Sequence, residues 1–124
     1  MILVDTSVWI EHLRKSPSDL TPLLDKGLVF VHPFVLGELA CGNLRNRARI
    51  LGDLRALPAA ILATHDEVMR LVENRSLWGL GIGWIDVHLL ASALISNCEF
   101  WTFDARLFRA AATAGVKRFA NRMA

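Results

Sequence analysis

Four acidic residues stand out against the apolar stretches around them: Asp5 in ILVDTSVWI, Glu38 in PFVLGELA, Asp86 in GWIDVHLLASA and Asp104 in WTFDARL. Each has an ordinary explanation taken alone. Asp5 and Asp86 are placed to cap helices, an interaction worth roughly 1 kcal/mol. Glu38 has apolar helical neighbours, Phe34, Val35 and Cys41, which set it on or beside a buried face as a satisfied acid. Asp104 reads as a turn or cap residue. Taken together they suggest other chemistry. Two unit charges ~5 Å apart at an effective dielectric near 20 repel by roughly 3 kcal/mol. Four converging carboxylates therefore need protons or a cation. Oxygen-only ligands in a tight cluster suit Mg²⁺ or Mn²⁺ rather than zinc.

Such convergence requires a fold that carries all four acids to one edge. Residues 2–5 read as a short buried strand and 6–14 as a helix with Val8, Trp9 and Leu13 on one side. The Pro17 segment is a loop, LTPLLDKG a short helix stopped by Gly27, and LVFVH, 28–32, a second strand. Pro33 opens a helix reaching about Cys41, and residues 45–57 form an amphipathic helix ended by Pro58. A short strand is expected over Ala60 to Ala63 and a helix over 65–78. Residues 79–84 are a glycine-rich loop, and the helix 85–97 is apolar almost all round, hence central. EFWTF, 99–103, is a third strand. ARLFRAAATA, 105–114, is a helix ended by Gly115, and VKRF a last short strand. Strands alternating with helices imply an α/β fold with a central parallel sheet covered on both faces. Ligands of such sheets bind beyond the carboxyl ends of the strands, near the switch in strand order. Asp5 and Asp104 each end a strand there. Asp86 lies in a first helical turn, where the dipole favours its ionised form.

The 124 residues fit one domain, 1–124, with 53% hydrophobic and 21% charged residues, which excludes a disordered or collagen-like chain. No apolar run nears the ~18 residues that span a bilayer, and no signal-peptide pattern opens the chain, so a cytoplasmic protein without membrane contact is expected. Cys41 and Cys98 read as reduced, buried thiols. The formal charge of +2 proves no nucleic-acid partner, yet of 14 basic residues only Lys15, Lys26 and Lys117 are lysines. Arginine suits a bidentate grip on phosphate. Arg45 and Arg49 share a face of the expected helix, with Arg47 pointing elsewhere, and read either as RNA phosphate contacts or as a solvated face. Arg106, Arg109, Lys117, Arg118 and Arg122 allow the same two readings. The tryptophans Trp9, Trp78, Trp84 and Trp101 read as core, Trp84 being the one placed to do more. The four histidines, His12, His32, His65 and His88, have no metal-ligand spacing.

With LVDTSVWI, HPFVLGELACGNLRNR, GLGIGWIDVHLLASAL and WTFDARL in this order, the sequence resembles PIN-domain endoribonucleases, and within them the VapC toxins of bacterial type II toxin–antitoxin pairs. The resemblance covers nearly the whole chain. It implies a PIN-like three-layer α/β/α sandwich and a Mg²⁺ or Mn²⁺ site built by Asp5, Glu38, Asp86 and Asp104, with Asp5 and Asp86 the most direct ligands. Thr6, Ser7 and Thr102 match the small hydroxyls that accompany the family's acids. The implied reaction is metal-assisted hydrolysis of RNA, leaving a 5′-phosphate and a 3′-hydroxyl. The implied partners are a VapB-type antitoxin, whose tail masks the groove, and a second copy in a homodimer and a toxin–antitoxin hetero-oligomer. A housekeeping PIN nuclease without an antitoxin is the nearest alternative. A dehalogenase-type phosphotransferase would want an aspartate where Ser7 stands, and a binding module with a structural acid cluster would cleave nothing.

Overall fold

The computed structural model describes residues 1–119. Arg122 lies outside them. The elements run β1 (Ile2–Val4), α1 (Thr6–Arg14), α2 (Thr21–Asp25), β2 (Val29–Phe30), α3 (Pro33–Ala40), α4 (Arg47–Arg55), α5 (His65–Arg75), α6 (Trp84–Ile95), β3 (Glu99–Trp101) and α7 (Ala105–Thr113).

The sheet is parallel, in the order β2-β1-β3, with Ile2 opposite Val29 and Glu99, and Val4 opposite Trp101. The chain moves from β1 to one side, then returns to the other. The switch in strand order thus falls at the carboxyl end of β1, where Asp5 stands. Successive strand residues face opposite sides of a sheet. All three β1 residues are buried, so both faces are covered, as a three-layer α/β/α sandwich requires. Helix α6 carries seven consecutive buried residues, Val87 to Ala93, which confirms the central position expected from its apolar surface. The core joins Leu3, Val4, Phe100 and Trp101 of the sheet to Val35, Val68, Leu89, Leu90 and Leu107 of the helices and to Leu20, which precedes α2.

Several boundaries differ from the sequence reading. No strand forms over Ala60–Ala63, where only the preceding Ala59 makes a bridge, to Val31, and VKRF reduces to one bridge, Phe100 to Arg118. Each touches an outer strand at a single residue, so neither builds a ladder. Helix α4 starts at Arg47 because Asn46 adopts the left-handed conformation, φ 52° and ψ 44°. Arg45 therefore precedes the helix and shares no helical face with Arg49. Cys41 is exposed, unlike buried Cys98. Trp9 and Trp101 are core residues, whereas Trp78 and Trp84 are exposed. No helix among the described residues is long and apolar enough to cross a membrane.

Candidate active site

The four acids sit on four separate elements, and in each acid the hydrogen bonds fall on one carboxylate oxygen. Asp5 stands at the N-cap of α1, yet its side chain makes no capping bond. Its Oδ2 instead accepts the hydroxyls of Thr102 at 2.7 Å and Ser7 at 2.8 Å. Asp5 is buried, and two donors on one oxygen fix the plane of its carboxylate while Oδ1 has no protein partner. The same hydroxyls also hold the end of β3. Ser7 Oγ accepts the Phe103 N–H at 3.0 Å, and Thr102 Oγ1 accepts the Asp104 N–H at 3.0 Å. This is why β3 ends at Trp101 rather than at Phe103: site hydroxyls, not a neighbouring strand, take its next N–H groups.

Asp104 is a true cap. Its Oδ1 accepts the N–H groups of Arg106 at 2.9 Å and Leu107 at 3.1 Å, leaving Oδ2 uncommitted. Asp86 occupies the third position of α6, not its N-cap. Its Oδ2 accepts the N–H of Gly83, the N-cap residue, at 2.9 Å. The sequence reading did not include this Gly83 donor; the signal was the spacing of three between an N-cap candidate and an acid. Glu38 is exposed rather than half-buried. In α3 the core takes Val35 and Leu39, while Phe34, Glu38 and Cys41 share the solvent side. Glu38 Oε1 accepts the Thr6 hydroxyl at 2.6 Å.

Electrostatics show the acids to be neighbours. The Asp86 carboxyl is held above its ordinary range, first by burial and then by the charges of Asp5, Asp104 and Glu38, with the Gly83 N–H acting the other way. Among the described residues no cation forms an ion pair with any of the four; the ion pairs there are Arg14–Glu11 and Arg49–Asp53, both on the surface. Among the described residues no three His, Cys, Asp or Glu side chains already stand at coordination spacing. The carboxylates share an electrostatic field without standing at coordination spacing. Their chemistry still fits a hard divalent cation, since every acid keeps one unbonded oxygen and no softer donor intrudes. His32 and His88 are buried, His32 bonding Ser92 at 3.1 Å and the Phe34 N–H at 3.0 Å, and His12 bonds Ser18 at 2.7 Å. Arg49 is exposed and lies 3.9 Å from Asp53, a weak pairing.

Comparison with known proteins places the chain in a family. The PIN domain family model matches residues 2–113. The chain is 49% identical over 117 residues to "Ribonuclease VapC32" of Mycobacterium tuberculosis (strain ATCC 25618 / H37Rv), covering 94% of each chain. Among solved structures it is similar to FitAcB from Neisseria gonorrhoeae, with a TM-score of 0.65, 21% identity and 97% of each chain covered. It is also similar to PAE2754 from Pyrobaculum aerophilum, with a TM-score of 0.61 and 16% identity over 88% of this chain and 78% of the other. At those identities the two structures speak for the fold. The long match at 49% identity reaches further: the chain belongs to the PIN-domain family and, within it, to the VapC ribonucleases.

Proposed function

We propose that this single domain, 1–124, is a divalent-metal-dependent endoribonuclease toxin of the cytoplasm, neutralised by a VapB-type antitoxin and assembled as a homodimer within a toxin–antitoxin complex. The observation that carries the nuclease reading is the pattern of oxygens. Asp5, Glu38, Asp86 and Asp104 each hold one oxygen in a hydrogen bond and leave the other without a partner among the described residues. Identity to a ribonuclease named VapC favours the toxin over a housekeeping nuclease.

Mg²⁺ or Mn²⁺, when bound, would supply positive charge and Lewis acidity at the scissile phosphodiester. The chain's own residues orient and exclude. Ser7 and Thr102 set the carboxylate plane of Asp5, Thr6 aims Glu38, Gly83 aims Asp86, and the first turn of α7 fixes Asp104. Asp5 and Asp86, the more buried pair, would hold the ion most directly. Arg45 and Arg49 would contact the RNA backbone as exposed charges outside the acid cluster.

The test is cleavage of RNA by antitoxin-free protein with Mg²⁺, with Mn²⁺ or with EDTA, beside Asp5→Asn and Asp86→Asn. Discrete cleavage that needs metal and disappears in both folded variants is the expected result. Cleavage that survives in them would place the chemistry elsewhere.

A further inference from the structure

We infer that Arg106 is a phosphate-gripping residue of the substrate groove, its side chain laid along the bare backbone of Gly81. The inference rests on reading the four-acid site as one that cleaves a phosphodiester. Gly81 has φ +78°, a conformation side chains rarely adopt. A Cβ on it would stand 2.7 Å from Arg106 Cδ, 3.1 Å from Nη1 and 3.3 Å from Nε. The arginine stem and guanidinium therefore lie against bare backbone of the glycine-rich loop.

Both ends of this contact lead to the acids. Two residues after Gly81, Gly83 donates to Asp86; at the other end, the Arg106 N–H donates to Asp104. The side chain thus runs from the helix that Asp104 caps to the loop that leads into the Asp86 helix. Its guanidinium nevertheless pairs with no carboxylate and makes no hydrogen bond to any described residue. A cation on the helix that Asp104 caps, with no ion-pair partner among the described residues, keeps its planar donors for an incoming anion. A fork of N–H donors matches the non-bridging oxygens of a phosphate. The chemical class of ligand is the backbone phosphate of single-stranded RNA next to the bond being cut.

The alternative is structural: the aliphatic stem merely covers the loop. Arg106→Met separates the two, because it keeps an unbranched stem over Gly81 and removes the donors. In an Asp86→Asn background, where hydrolysis is expected to stop, anisotropy of a fluorescein-labelled single-stranded RNA would be titrated in Mg²⁺ over a series of salt concentrations. Arg106→Met should raise Kd roughly tenfold and reduce the slope of log K against log[salt] by about 0.7, the value for one lost phosphate contact on a single strand. Arg106→Lys should recover most of the affinity and the slope. Gly81→Ala should weaken binding by displacing the stem, and adding it to Arg106→Met should cost little more. Lys26→Met, on an exposed residue at the amino end of the sheet, should change neither. Wild-type affinity and slope in Arg106→Met, or losses that add in full with Gly81→Ala, would overturn the inference. Cleavage surviving Asp86→Asn would count against the reading of the site instead. Absence of any RNA binding by the Asp86→Asn parent would overturn both.

Discussion

Replacing Asp86 by asparagine should stabilise the metal-free fold and, in the same stroke, abolish its response to Mg²⁺. The first effect follows from the sign of the perturbation. Burial and three neighbouring carboxylates hold the Asp86 carboxyl above its ordinary range. An acid raised in the fold keeps its proton where the unfolded chain has already lost it. Stability then falls as pH rises from the ordinary value of 3.8 through the raised one, and the ionised form opposes folding at neutral pH. Asparagine keeps an oxygen for the Gly83 N–H and removes the charge. One pair of unit charges ~5 Å apart at a dielectric near 20 repels by about 3 kcal/mol. Half-burial and salt screening reduce this to a gain on the order of 1 kcal/mol, or about 4 °C in Tm for a domain of this size. The second effect follows from linkage: an ion at a hundred times its Kd stabilises the wild type by about 2.7 kcal/mol, and the variant by little. Thermal melts of both proteins in EDTA and in saturating Mg²⁺, at pH 4.5 and 7.5, give all four values. If Asp86→Asn melts lower than wild type in EDTA, or gains as much from Mg²⁺, then Asp86 is a helix-end brace and the cluster is no ion site.

Three further outcomes follow from single contacts. Thr102→Val deletes the 2.7 Å bond to Asp5 and strands the Asp104 N–H, so it should lose about 2–4 kcal/mol in denaturant melts and most of its cleavage rate, whereas Thr102→Ser should retain both. Asp104→Ala should lose about 1 kcal/mol through its cap, while Asp104→Asn should keep most stability and still lose cleavage; equal melts for the two would show that Oδ1 caps nothing. His32 is buried and its pKa is lowered to about 4, first by desolvation and then by His88. Its neutral form is favoured in the fold, so stability should be full above about 6.5 and should fall as pH drops toward 4, and urea midpoints across that range should fall less steeply in His32→Phe.

Regular periodicity made the sequence legible where packing alone decides structure. Helix α1 runs over Thr6–Arg14 as its apolar side implied, and the all-round apolar pattern of α6 matches its central place. Legibility failed where a local conformation or a tertiary bond outweighed pattern. Nothing in RNRARIL announces that Asn46 turns left-handed and excludes Arg45 from the helix. Alternating residues in EFWTF looked like strand to the end, but the N–H groups of Phe103 and Asp104 bond to Ser7 and Thr102, over ninety positions away in the first case. Glu38 was placed beside a buried face because Phe34, Val35 and Cys41 are apolar, yet only Val35 is buried, and apolar type does not fix which side of a short helix meets the sheet. Asp5 and Asp104 drew attention because each follows an apolar strand pattern, and the structure places both at the carboxyl side of the sheet. Their hydrogen-bond partners were not legible, since a hydroxyl's target depends on the fold.

The partners chosen for these acids argue for the use made of them. A fold that only needed to tolerate four nearby carboxylates would place lysine or arginine among them, and each ion pair would lower the repulsion. Here the acids receive only neutral donors: three side-chain hydroxyls and backbone N–H groups from Gly83, Arg106 and Leu107. Neutral donors fix direction and leave most of the charge in place. A lysine at the centre would compete with a divalent ion for the same oxygens, and every bound metal would have to displace it first. Keeping Arg106 against Gly81, outside ion-pair range of every acid, follows the same logic, because a guanidinium neutralised by Asp86 or Asp104 would have no donors left for phosphate. On the proposed reading, the fold is held under like-charge repulsion that a bound cation would relieve, and the separation of fixed acids from Arg106 would let one groove take a metal and a polyanion together.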